Sequence, residues 1–232
     1  MVIYQHSRRT HVADIAIVTL VSTLAFLGEL AFADRLPWGD EARGVIAVLA
    51  GTAAAVAVTL ARGGALSDLG FRRPKRWATV PLWALGILAV FVIAQNAVPL
   101  LVAPFFDLPE PDMSRYDAVR GNLAAAVSLA LLLPLTAAIP EEVLYRGFLI
   151  ERLTGLFAGA RAASVLAVLV QALIFGTVHF QWGPGGIVVT AIMGAIWGFA
   201  FLLCGRNLWI VIIAHSAAHI AMLMQLYYSP PP

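Results

Sequence analysis

The chain has 232 residues, 61% of them hydrophobic and only 12% charged, with a mean hydropathy of +0.87 and a formal net charge of +2. A water-soluble domain carries roughly 45–50% apolar and about 25% charged residues, so this composition excludes an ordinary globular core and points to a polytopic membrane protein. One cysteine, Cys204, excludes both a disulfide framework and a cysteine-based metal site.

Apolar segments of bilayer-spanning length follow one another along the whole chain. Arg8 and Arg9 precede the first, Ile15 to Ala33. With Ala31-Phe32-Ala33 this resembles the three parts of a signal peptide, but the apolar stretch is longer than an h-region and fits a retained helix. Further spans are expected at Gly44 to Ala61, Ala78 to Ala103, Asn122 to about Arg152, Ala162 to Pro184, Gly185 to Gly205, and Asn207 to Tyr228. The fold class is therefore all-α: a transmembrane bundle of about seven helices forming a single domain, 1–232, with an active site inside it. No internal repeat is visible, and the Pro230 to Pro232 tail is the one low-complexity stretch.

Basic residues set the expected orientation, since cytoplasmic loops retain Lys and Arg close to the spans. With the N-terminus inside, the inner face holds Arg8, Arg9, Arg62, Arg72, Arg73, Lys75, Arg76, Arg152, Arg161 and Arg206, against Arg35, Arg43, Arg115 and Arg120 outside. The outer Pro104 to Gly121 segment is correspondingly acidic, with Asp107, Glu110, Asp112 and Asp117. The run Arg72-Arg73-Pro74-Lys75-Arg76 reads as contact with anionic lipid, and no nucleic-acid partner is expected. An arginine-heavy, nearly lysine-free composition suggests a bacterial chain, hence an inner-membrane protein with a cytoplasmic N-terminus.

Against this apolar background the run Pro140-Glu141-Glu142-Val143-Leu144-Tyr145-Arg146 stands out. Ionisable groups at bilayer depth are costly and usually face a protein interior or a wet cavity, where they mark function. Proline followed by acids also suits a helix start, but Leu129 to Ile139 already reads as membrane helix, so Pro140 is expected to kink a continuing span. Glu142 and Arg146, four apart with the acid first, share a face and can pair. Glu141 points about 100° away with no partner at that spacing, which suits a group that takes and returns a proton.

Three histidines lie in later segments. His215 and His219 stand one above the other on one helix face, and Phe175 is placed over His179 by the same four-residue spacing. Counting about 1.5 Å per residue from the nearest inner arginine puts Glu141 about 17 Å deep, His219 about 20 Å and His215 about 14 Å. His179 comes out at about 27 Å and needs tilt or a late helix start. Glu29, Gln95, Asn96 and Gln171 read as interhelical hydrogen bonders, and Gly194 with Gly198 as a close-packing face.

Glu141-Glu142-x-x-x-Arg146, Phe175-x-x-x-His179 and a final His215-x-x-x-His219, in this order on successive apolar segments, resemble the CPBP family of intramembrane proteases, which includes the CAAX prenyl endopeptidase and the Abi proteins of bacteriocin self-protection. The similarity covers roughly residues 122–225, the expected catalytic half. It implies that Glu141 and His179 activate a water on a peptide bond of a membrane-associated protein or peptide, and that His215 and the last position bind the oxyanion. His219 departs from the pattern, where Asn is commoner; either side chain can donate a hydrogen bond.

The residues alone lead to related chemistry, because peptide hydrolysis needs a water activator, an oxyanion site and a proton donor for the leaving amine. A zinc alternative stays open, since two imidazoles four apart on a helix can share a metal with Glu141 and His179, though Ser216 stands where a zincin helix carries its Glu. A metal-free glutamate mechanism, with no cofactor, is favoured. Two other functions compete: a non-catalytic scaffold or immunity-like protein, suggested by His219, and a proton-coupled transporter, which intramembrane Glu and His also serve.

Overall fold

The computed structural model describes residues 7–32, 43–102 and 109–230. Ala33, Arg35, Ala103, Asp107 and the last two prolines of the tail, all named above, lie outside the described residues. Among the described residues the chain forms seven apolar helices, and it is an integral membrane protein. We label them α1 (Arg8–Ala31), α2 (Val45–Ala61), α3 (Val80–Val102), α4 (Leu123–Leu156), α5 (Ala163–Thr177), α6 (Gly183–Leu203) and α7 (Leu208–Tyr228). Five are long and apolar enough to cross a bilayer; α2 and α5 are shorter.

Helix α1 begins earlier than its apolar stretch predicts. Ser7 caps it by accepting from the Thr10 amide at 3.2 Å, a cap that satisfies an otherwise orphaned N–H. The first two turns then carry buried His11 and Asp14. Asp14, fully buried, meets Arg62 at the end of α2 at 3.0 Å and Arg152 near the end of α4 at 3.0 Å. A composition criterion stops at such a charge; the helix continues because the charge is paired. At the other end of the same hairpin, Glu29 accepts from the Ile46 and Gly44 amides at 2.7 and 3.1 Å, tying α1 to the start of α2.

Helix α4 is the axis of the bundle and spans 34 residues, about 50 Å at the usual rise against a core of about 30 Å. It does not run as a uniform α-helix with one kink at Pro140. Two π-helical stretches, Pro134–Ala138 and Glu142–Leu149, flank a single α turn that contains Pro140. Proline lacks the N–H that would close the preceding turn, and the wider turns redistribute the ladder; the Pro140 carbonyl takes the Thr52 hydroxyl of α2 at 2.8 Å. Such π segments concentrate at functional sites.

Helices α5 and α6 pack closely because small residues face the seam. A Cβ on Gly176 would stand 2.6 Å from the Ile187 carbonyl, one on Gly198 2.8 Å from Val168, and one on Gly194 3.1 Å from Ala172. Gly194 and Gly198 are thus a packing face, as their spacing predicts. The ten basic residues assigned to one face do gather at one end: Arg8 reaches the Ala158 carbonyl, Arg206 pairs with Glu151, and Asn207 donates to the Arg72 carbonyl. Among the described residues the opposite end carries Gly44, the 109–122 stretch and the 178–182 turn.

Candidate active site

The predicted residues sit on three elements that the fold brings together. Glu141 and Glu142 lie where the α turn of α4 passes into its second π stretch. His215 and His219 lie on successive turns of α7, their rings 4.5 Å apart. His179 is not within a helix: α5 ends at Thr177, and His179 caps the short 3-10 turn Phe180–Trp182 that leads into α6. Fifteen residues carry α5 only about 22 Å, so His179 hangs from the end of a short helix.

Glu141, His179, His215 and His219 line one cavity of about 900 Å³. Apolar groups make most of its wall, among them Phe26, Phe91, Met193, Trp197 and Met222. Its mouth is framed by Arg43, Gly44 and the Pro109–Pro111 stretch with Met113, Arg115 and Tyr116, the connections at the end opposite the basic cluster. Depth counting measured distance from the basic end and says nothing of which end opens. The connection is held over the mouth by the Asp112 amide on the Trp182 carbonyl at 3.2 Å and by Met113 and Tyr116 against Leu223 and Leu226.

Glu142 and Arg146 are both fully buried, with Nη1 3.2 Å from Oε1. The same Glu142 oxygen lies 2.8 Å from Nδ1 of His215. A carboxylate beside a guanidinium accepts, so Nδ1 carries the hydrogen, and the second nitrogen, Nε2, is turned toward Glu141 at 4.0 Å. Glu141 is the more open carboxylate, its side chain 15% exposed. His215 thus bridges two glutamates that differ in job: one fixes its ring, the other faces the cavity.

His179 is oriented in the same way by a different partner. Its Nδ1 is 2.6 Å from the Phe175 carbonyl, which only accepts, so Nδ1 donates and Nε2 is left free. The Phe175 ring lies 4.6 Å from the His179 ring and 4.6 Å from the Arg146 guanidinium, with Tyr145 edge-on at 5.0 Å. One phenylalanine therefore separates the buried ion pair from the imidazole and packs on both.

Several groups at the site carry no helical-spacing signal and were not singled out from sequence. Trp182 stands 5.1 Å from His179 and Trp197 5.6 Å from His215. Burial pushes the Tyr116 phenol above its ordinary value, with Arg115 opposing and Glu141 adding to the rise; this puts Tyr116 within electrostatic reach of Glu141. Of the predicted interhelical bonders, Glu29 links α1 to α2 as described. Asn96 instead donates to the Val92 carbonyl of its own helix at 2.7 Å. Gln95 lines the cavity, and Gln171 is fully buried beside Gly198, its amide atoms without a hydrogen-bond partner among the described residues.

The same donors bear on the zinc alternative. Two of the three imidazoles place Nδ1 on protein oxygens and leave Nε2 free, an orientation shared by metal-ligating and general-base histidines, and among the described residues no three His, Cys, Asp or Glu side chains converge as a metal site.

No curated protein and no solved structure matches the chain. The family model described as Type II CAAX prenyl endopeptidase Rce1-like does match, over residues 123–221. Those limits enclose helix α4 from its first residue together with Glu141, Glu142, Arg146, Phe175, His179, His215 and His219. Over residues 123–221 the chain is similar to the Rce1-like type II CAAX prenyl endopeptidases.

Proposed function

We propose that the chain is an intramembrane endopeptidase of the glutamate type, hydrolysing a peptide bond of a membrane-associated protein or peptide. The observation that carries this reading is the convergence of Glu141, His179 and His215 on one cavity, with both imidazoles held through Nδ1 so that Nε2 is presented. In this reading Glu141 accepts a proton from a water that His179 Nε2 orients, and the water oxygen attacks the scissile carbonyl. The carbonyl oxygen becomes an oxyanion, faced by His215 and His219. Collapse of the intermediate breaks the C–N bond as Glu141 returns its proton to the leaving amine, giving one carboxylic acid and one amine.

Glu142 acts through His215: paired with Arg146, it fixes the ring. The apolar wall suits a substrate segment that is itself apolar or lipid-modified, and the matched family's name associates it with prenylated CAAX peptides. By the positive-inside rule the basic end is cytoplasmic, and substrate then approaches the cavity from the other side, in a bacterial inner membrane.

The test is turnover of a prenylated CAAX peptide and its unmodified twin by the purified full chain. His179→Ala should lower kcat by roughly 10²- to 10⁴-fold, the range for a lost general acid–base group, while thermal unfolding stays unchanged. Wild-type turnover of either peptide that His179→Ala leaves intact contradicts the assignment.

A further inference from the structure

The end of the bundle opposite the cavity carries a second organised feature, the segment between α2 and α3. Its backbone is held at several points. The Arg72 side chain donates to the Ser67 carbonyl at 2.9 Å, the Leu208 amide donates to the Gly70 carbonyl at 2.9 Å, and Asn207 donates to the Arg72 carbonyl at 2.8 Å. Phe71 packs edge-on against Trp209 at 5.4 Å. Gly70 has φ +100°, and a Cβ there would meet the Arg206 carbonyl at 3.0 Å; glycine alone fits this turn without strain. Pro74 is buried, and its neighbours Arg73, Lys75 and Arg76 are exposed.

The other cations near this segment are spoken for by the protein. Arg8 binds a carbonyl, Arg62 and Arg152 share Asp14, and Arg206 takes Glu151 and Ser164. The acids of this end are equally engaged: Asp14 and Glu151 in those pairs, Asp68 on the Ala65 amide at 2.8 Å. Among the described residues, the side chains of Arg73, Lys75 and Arg76 have no partner at all. Three cations on a fixed backbone, with no acid left to neutralise them, are a site for an external anion.

The anion's chemistry follows from where the site sits. Trp77, 53% exposed, opens the span Trp77–Val98 directly after Arg76. Tryptophan at the end of a span marks headgroup level, where phosphate esters are the abundant anions and each nearby Lys or Arg adds to attraction. We infer that Arg73, Lys75 and Arg76, with Trp77 beside them, form a binding site for the headgroup of an anionic phospholipid.

The experiment reconstitutes the full chain in phosphatidylcholine vesicles containing a minor fraction of acyl-brominated phosphatidylglycerol, or the same fraction of brominated phosphatidylcholine. The Trp77 signal is isolated by difference from Trp77→Phe. Trp77 should be quenched by the anionic lipid with roughly tenfold preference, as a few kT from three cations implies. R73Q/K75Q/R76Q should lower that preference to near one, and R9Q/R161Q, exposed cations elsewhere at this end, should leave most of it. Equal quenching by the two lipids in the wild type, as a patch that docks an acidic protein segment would give, overturns the inference. So does a preference that the triple variant retains, or one that both variants lose equally, which would mean diffuse surface charge.

Discussion

At the residue scale the two adjacent glutamates have opposite environments. Glu142 is sealed between Arg146 and His215, whereas Glu141 borders the cavity. Removing the charge of Glu142 leaves a guanidinium buried without its counter-ion, and breaking such a pair costs about 3–5 kcal/mol. Glu142→Gln should therefore lower the unfolding midpoint as well as turnover, and thermal unfolding in detergent checks it; an unchanged midpoint would mean that the pair is not stabilising. The Glu142–Arg146 contact was legible from a four-residue spacing, as was Phe175 over His179. The Glu142–His215 contact was not, because the partners lie 73 residues apart and only the packing of α4 against α7 joins them.

At the element scale helix α4 departs furthest from what proline chemistry alone suggests. A single kink was expected at Pro140; the chain instead takes up the missing N–H with π turns on both sides, and Thr52 satisfies the proline carbonyl. Sequence composition likewise drew the fifth span through His179, because Phe180 and Trp182 continue the apolar run; the helix stops at Thr177, and the imidazole belongs to a turn. The α5–α6 seam depends on side chains that are missing. Gly176→Ala would place a methyl 2.6 Å from the Ile187 carbonyl and 2.7 Å from Ala191, with backbone on one side that cannot rotate away. Overpacking of this kind costs about 1–3 kcal/mol. The variant should lose that much stability, and cleavage with it, since the same seam positions Phe175 and His179. Unfolding by denaturant with a midpoint equal to wild type would show that the seam has slack.

At the scale of the whole molecule the two ends are specialised. One end spends its acids on internal pairs and leaves a fixed basic rim; the other frames a cavity that reaches the glutamate between α4 and α7. The span count and the clustering of cations were readable from hydropathy and charge, which act over whole segments. Which end opens was not, because it depends on how the connections fold over the bundle. The central claim is that Glu141 is the group that moves the proton, in a fold that does not need its charge to assemble. It is tested most directly by comparing wild type and Glu141→Gln in peptide cleavage read by mass spectrometry of the products, with thermal unfolding in parallel. The account predicts loss of cleavage to below detection with an unfolding midpoint unchanged from wild type. Cleavage by Glu141→Gln at the wild-type rate would contradict it.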